Sequence, residues 1–121
     1  MDIEIIIRRF SERESFSAGD VIFQEGEAAS KMYLIAEGEV DLSVQGEPLG
    51  VEVVNGSVGE MAMVDPASRM TTAKAKTDCK LVPIERNRFL DLIREYPEFS
   101  LHVMELLADR LRLANNIRTK S

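Results

Sequence analysis

A mainly β fold, a roll or barrel of short strands finished by C-terminal helices, is the class this sequence predicts. Three features predict it. Short apolar or alternating runs recur at an even beat through the first two thirds of the 121 residues. Gly19, Gly26, Gly38, Gly46, Gly50 and Gly56 punctuate those runs as turn residues. After Pro83 the apolar residues change to helical spacing.

The strands follow from these runs in order. Residues 21–23, 32–35, 40–44 and 51–54 read as the first four. In Val40-Asp41-Leu42-Ser43-Val44 the alternation is clean, so Val40, Leu42 and Val44 should face inward. A further pair is expected at 70–76 and 80–84, which places the roll at about 12–84. Residues 86–95 carry Phe89, Leu90 and Ile93 at helical spacing, and Tyr96-Pro97 breaks that helix. Pro97 suits the first turn of a second helix over about 97–117. Leu101, Met104, Leu107 and Leu111 form one stripe of it, with Val103, Leu106, Leu113 and Ile117 around the side. A band that wide predicts one stripe on the roll and another on the same helix of a second copy, a homodimer. The alternative is that all of it packs on the roll.

Composition bounds the function. Residues 1–121 read as one domain, long enough to bury a core without metal or disulfide. The single Cys79 reads as a buried strand residue rather than a reactive thiol. Ile5, Ile6 and Ile7 are preceded by Asp2 and Glu4 and followed by Arg8 and Arg9, which is no secretory pattern. No apolar run approaches the ~20 residues of a spanning helix, so a cytoplasmic protein without a membrane segment is expected. Residues 1–65 carry 14 acids and 4 bases, residues 66–121 carry 7 acids and 11 bases, and the net charge is −6. Those bases are interleaved with acids, which argues against a nucleic-acid partner. Only one histidine is present, His102 in a helical segment, so neither a metal set nor a nucleophile–base pair can be assembled. The expectation is a binding domain and not an enzyme.

The stretch from Val58 to Thr72 carries the candidate chemistry. Gly59 leads a short turn of helix, with Glu60 next and Arg69 ten residues on. Backbone N–H groups at a helix start favour an anion. Gly59 allows close approach because it has no Cβ, and Arg69 offers a planar fork to phosphate oxygens. Glu60 would be repelled by a phosphate, so it suits a ribose hydroxyl. Together they make a compact kit for a sugar phosphate, and Lys74 and Lys76 add a positive bias nearby.

The flanks sharpen this reading. Gly19-Asp20-Val21-Ile22-Phe23-Gln24-Glu25-Gly26-Glu27, then Met32-Tyr33-Leu34-Ile35 and Glu37-Gly38-Glu39-Val40, resemble the start of a cyclic nucleotide-binding domain. Residues 59–73 resemble that family's phosphate-binding cassette, with its Gly-Glu and Arg in register. Leu107-Ala108-Asp109-Arg110-Leu111-Arg112 resembles its closing helix, and the likeness spans about residues 14–117. The family is that of the catabolite activator protein and the regulatory subunits of cAMP-dependent kinase.

The resemblance implies an eight-stranded β-roll of double-stranded β-helix (jelly-roll) type, a short phosphate-cassette helix and two C-terminal α-helices. It implies a sensor of cyclic AMP, with cyclic GMP the alternative ligand. The N–H groups of Met61 and Ala62 would meet the phosphate, Gly59 would permit the approach, and Arg69 would pair with the exocyclic oxygens. Glu60 would take the ribose 2′-hydroxyl. Met70 stands where cyclic GMP binders often place Thr, which weakens that reading, but it also departs from the Ala or Ser common in cyclic AMP binders, where its thioether could crowd the base; Ser68 replaces a frequent Pro. Thr71 and Thr72 could touch phosphate or base, or serve as β-branched strand residues. Asn115 falls where the family reads the adenine edge, although adjacent asparagines also cap or fray helix ends.

Neither a DNA-binding domain nor a second nucleotide domain is visible in the sequence, so the expectation is a sensor without an attached output, acting on a separate effector protein. In the expected switch, ligand tightens residues 59–69. The Met61 and Met63 face then moves the first C-terminal helix, and the closing helix shifts over the base. The rival reading is a ligand-free protein-interaction module on the same fold.

Overall fold

The computed structural model describes residues 2–65, 67 and 69–120, with the backbone alone at 114 and 117–120. The elements run α1 (Ile3–Arg9), β1 (Glu14–Phe16), β2 (Val21–Phe23), β3 (Lys31–Glu37), β4 (Val40–Val44), β5 (Glu47–Glu52) and β6 (Ser57–Val58). A 3-10 helix follows (Glu60–Met63), then β7 (Thr72–Ala75), β8 (Cys79–Glu85), α2 (Arg86–Glu95) and α3 (Pro97–Lys120).

Among the described residues eight strands form two antiparallel four-stranded sheets, in the orders β1-β8-β3-β6 and β2-β7-β4-β5. The fold is mainly β, a roll carrying helices on one side. β3 and β8 are its spine, in register from Lys31 opposite Glu85 to Ile35 opposite Leu81. Pro83 is tolerated inside β8 because its edge there is beyond β1, whose pairing ends at Leu81. The Pro83 carbonyl on that edge accepts instead from Arg88 Nη1 at 3.3 Å.

The spine strands are buried on both faces, which is why they read as continuous apolar runs. Successive side chains alternate sides. Tyr33, Ile35 and Leu81 point into the roll, where they meet Phe23, Val40, Leu42, Val58 and Ala73. Met32, Leu34, Val82 and Ile84 point the other way, to a second cluster built with Ile6, Met63, Leu92 and Phe99. Val40, Leu42 and Val44 are buried, and so is Cys79, as their pattern predicts.

Several boundaries differ from those expected. β5 ends at Glu52, so the strand lies at Glu47–Glu52 rather than 51–54. Val53 and Val54 are exposed, and Asn55 turns the chain with φ 73°. β7 begins at Thr72, leaving Met70 and Thr71 in a bend that faces the roll's opening. β1 and β6, of three and two residues, have no pattern of their own.

α1 is a helix that the reading of Ile5 to Ile7 did not anticipate. Asp2 caps it by accepting from the Glu4 N–H at 3.0 Å, and Arg8 and Arg9 occupy the last turn. Ile3, Ile6 and Ile7, at helical spacing, are its buried face. α2 has the expected bounds, and α3 starts at Pro97 and continues to Lys120. The face of α3 on the protein is Phe99 and Val103, with Leu107 partly covered. Leu101 and Met104 of the expected stripe stand out at 58% and 54% exposure, because they lie round the helix from Phe99 and Val103. The Ile117 side chain and Ser68 lie outside the described residues.

Ile6→Ala should destabilise the protein by about 2–5 kcal/mol in denaturant unfolding, since Ile6 is fully buried between α1 and the helical cluster. Cys79 should react with a thiol reagent only as fast as the protein opens, because it is buried and burial raises its thiol pKa.

Candidate ligand site

The site is assembled where the 3-10 helix, the 65–71 loop and α3 meet the mouth of the roll. Gly59, with φ 79°, turns the chain into the 3-10 helix. Its missing Cβ matters twice. The left-handed backbone suits glycine, and an added Cβ would stand 2.6 Å from Arg69 Nη1 and 3.3 Å from the Phe23 ring.

In a 3-10 helix the leading N–H groups have no partner within the helix. Here those are the groups of Glu60 and Met61. The Ala62 N–H, one of the expected pair with Met61, donates to the Gly59 carbonyl at 3.2 Å.

Arg69 is placed by its backbone. Its N–H donates to the Glu27 carbonyl at 2.7 Å, and its carbonyl accepts from the Gly26 N–H at 2.9 Å. This staples the loop to the turn between β2 and β3. The side chain is 8% exposed, its Cζ 4.1 Å from the Phe23 ring centroid. Nη1 donates to the Gly59 carbonyl at 3.4 Å, and the buried Nε has no partner. Among the described residues no carboxylate forms an ion pair with it. Burial lowers its pKa, against a smaller opposing pull from Tyr33, Glu27 and Glu60. This is a desolvated cation with an unused donor.

Glu60 is 2% exposed, and it faces a cation that the sequence reading did not assign. Arg110 reaches down from α3, and its Nη1 lies 2.5 Å from both Glu60 oxygens. Arg110 Nη2 donates to the Ser57 carbonyl at 2.9 Å and pairs with Glu52 at 2.8 Å. The Ser57 hydroxyl donates to Glu60 Oε1 at 2.9 Å. Burial alone would lower the Arg110 pKa, but the Glu60 and Glu52 carboxylates raise it above its ordinary value. The pair ties α3 to the cassette.

The resulting cleft is narrow, with a cavity volume of about 40 Å³, well below the ~300–1,000 Å³ of occupied small-ligand sites. Seven of the expected residues line it: Gly59, Glu60, Met61, Ala62, Arg69, Met70 and Thr71. Phe23, Val44, Leu107 and Leu111 supply apolar wall. Asn115 is exposed, one turn of α3 beyond Leu111, and does not line the cleft. Thr72 serves the loop, accepting from the Glu25 N–H at 3.2 Å. Arg110 and Phe23 were missed as site residues. The sign of Arg110 in the sequence is its register: it follows Phe99, Val103 and Leu107 on the buried face, a charge where the spacing calls for an apolar side chain. Among the described residues no cluster of metal-ligating side chains occurs and no helix is long and apolar enough to cross a membrane.

Comparison with known proteins places this roll, with its buried arginine and a helix over the cleft, in one family. The chain belongs to the cyclic nucleotide-binding domain family, whose profile matches residues 13–96. It is similar to the CRP-like cAMP-activated global transcriptional regulator of Mycobacterium tuberculosis, at 31% identity over 107 residues, 84% of this chain and 47% of that protein. It is also similar to lysophospholipase nte1 of Aspergillus oryzae, at 31% identity over 79% of this chain and 7% of that protein. The chain thus spans about half the length, or far less, of these curated relatives. Among solved structures, the catabolite activator protein of Thermus thermophilus superposes with a TM-score of 0.77 at 29% identity, covering 98% of this chain and 57% of that one. A cAMP-bound PfPKA-R structure shares the fold, with TM-score 0.76 at 23% identity over 88% of this chain and 36% of that one.

Arg110→Ala should cost about 3–5 kcal/mol in unfolding free energy, because it leaves the Glu60 carboxylate buried without its cation. Combined with Glu60→Gln it should cost less than the sum of the two, a coupling that a double-mutant cycle reads directly.

Proposed function

We propose that residues 1–121 act as one sensor domain that binds a cyclic nucleotide, cyclic AMP before cyclic GMP, in the cleft between cassette and α3. The observation that carries this reading is the buried Arg69 guanidinium, with an unpartnered Nε and no carboxylate, beside an otherwise largely apolar wall. A desolvated cation left with an unused donor favours an anion. A cyclic phosphate brings one negative charge there, with the N–H groups of Glu60 and Met61 at the start of the 3-10 helix as further donors. Met70, which has no hydroxyl, lies beside the cleft and is only a weak acceptor for a guanine amino group, which weakens the case for guanine.

Glu60 can take the ribose 2′-hydroxyl without releasing Arg110, since a carboxylate has about four lone-pair sites. The ligand and α3 would then share one carboxylate. Ligand contact at Glu60 would be felt by Arg110, and contact at the 3-10 helix by Met63, which packs with Leu92 and Phe99 of the two helices. In this reading the helices change position, and the altered surface regulates a separate effector. A ligand does this only through its differential affinity for the two arrangements. The exposed Leu101 and Met104 support a second copy as a partner for α3. A cytoplasmic setting fits an intracellular nucleotide signal.

Titration calorimetry with cyclic AMP and cyclic GMP, on nucleotide-free protein, tests the reading. Cyclic AMP should bind at micromolar or better affinity. Arg69→Ala should weaken it about 30-fold to several thousandfold, the equivalent of losing ~2–5 kcal/mol from a buried charge contact. Removal of the 2′-hydroxyl from the ligand should also weaken binding. No heat and no thermal stabilisation with either nucleotide would leave the fold as a ligand-free interaction module.

A further inference from the structure

Among the described residues Arg69 has no carboxylate to hold its side chain, and its hydrogen bond to Gly59 is long, at 3.4 Å. Its closest extended contact is the ring of Phe23, 4.1 Å from Cζ to the centroid. Phe23 lines the cleft and is itself buried. Behind it the Tyr33 ring lies nearly parallel, at 6.5 Å and 13°. Phe16 meets Tyr33 edge-on, at 6.4 Å and 89°, and the Lys31 ammonium lies 5.5 Å from the Tyr33 centroid. Phe23 belongs to β2 in one sheet, and Tyr33 and Phe16 to β3 and β1 in the other. Beside both the guanidinium and the ring stands Gly59, where a Cβ would touch Nη1 and Phe23 alike.

We infer that Phe23 is a positioning residue for the anion, its ring fixing the plane of the Arg69 guanidinium so that the free Nε edge is presented to the ligand. This rests on the cyclic-nucleotide reading above. A cation over an aromatic face is attracted by the ring quadrupole, more strongly when both are out of water. Tyr33 and Phe16 stop the ring from turning, so the orientation is inherited from both sheets rather than from the loop. A neutral clamp suits an anion site better than a carboxylate. Glutamate or aspartate at the same place would also order the arginine, but it would occupy the donors and repel the phosphate. The aromatic face orders the cation and leaves the in-plane Nε donor unused. Binding then needs no reorganisation of the longest side chain in the site.

The test uses the full chain as wild type, Phe23→Leu and Phe23→Tyr, each checked for cooperative thermal unfolding. Two readouts are taken. The first is the NMR shift of the Arg69 side-chain protons and the rotation rate about its Cζ–Nε bond, measured without nucleotide. The second is cyclic AMP affinity by calorimetry. The expected result is an upfield ring-current shift and slow rotation in the wild type, kept in Phe23→Tyr and lost in Phe23→Leu. Affinity should fall about tenfold in Phe23→Leu and stay within about twofold in Phe23→Tyr. An unchanged affinity in Phe23→Leu overturns the inference. So does an equal fall in both variants, which would assign the effect to cleft packing. If the wild type binds neither nucleotide, the functional reading fails, and the first readout still decides the positioning: equal Arg69 order in wild type and Phe23→Leu overturns it.

Discussion

The site depends on keeping one arginine out of water without neutralising it. A buried cation is expensive, and the usual remedy is a carboxylate. Around Arg69 the protein uses three weaker devices instead. A ring lies beneath the guanidinium, a carbonyl sits at its edge, and backbone bonds to Gly26 and Glu27 hold the segment that carries it. The requirement for glycine at residue 59 follows from the same constraint, because any side chain there takes the space of the guanidinium. The real carboxylate of the cleft, Glu60, is held apart by a cation of its own, Arg110. Two arginines and one glutamate thus divide their roles by position. One cation is satisfied and structural, and the other is left unsatisfied.

Burial on both faces of the spine connects this site to the helices. The same strands supply Tyr33 to the aromatic stack and Met32 and Leu34 to the helical cluster. The 3-10 helix is shared in the same way. Its leading residues line the cleft, while Met63 is packed with Leu92, Phe99 and Ile6. A close-packed interior does not absorb small shifts gradually. Movement of the cassette therefore has to be taken up by α2 and α3, or not occur.

The fold was legible in the sequence wherever one periodicity dominated over five or more residues. β4 alternates, and β3 is a solid apolar run because both its faces are covered. α2 begins where the spacing changes. β1 and β6 were invisible because two or three residues cannot show a period, and they exist only because β8 and β3 offer edges. α1 carried a readable pattern, an aspartate cap, isoleucines at 3, 6 and 7, and arginines at the end. The unbroken Ile5 to Ile7 run obscured it. At the site, Gly59, Glu60 and Arg69 were legible because they lie within eleven residues of one another in a familiar order. Arg110 lies 50 residues from Glu60, and no local pattern encodes a pairing at that distance. Phe23 was hidden for a different reason: as a strand aromatic it looks like any other core residue until the cation above it is seen.

The joint between the two C-terminal helices is a single residue, Tyr96, with extended φ of −129°. Arg9, the last residue of α1, lies over the Tyr96 ring at 5.9 Å and pairs with Glu95, the last residue of α2. Arg88 of α2 similarly covers Phe10 at 4.7 Å and pairs with Glu12. The N-terminal helix therefore bears on the joint between α2 and α3. An affinity tag or fusion joined ahead of it is mechanically in series with that joint, whereas a change in the loop at 45–46 between β4 and β5 is not. Where a handle is attached to this protein is thus a choice about its working parts as much as about its purification.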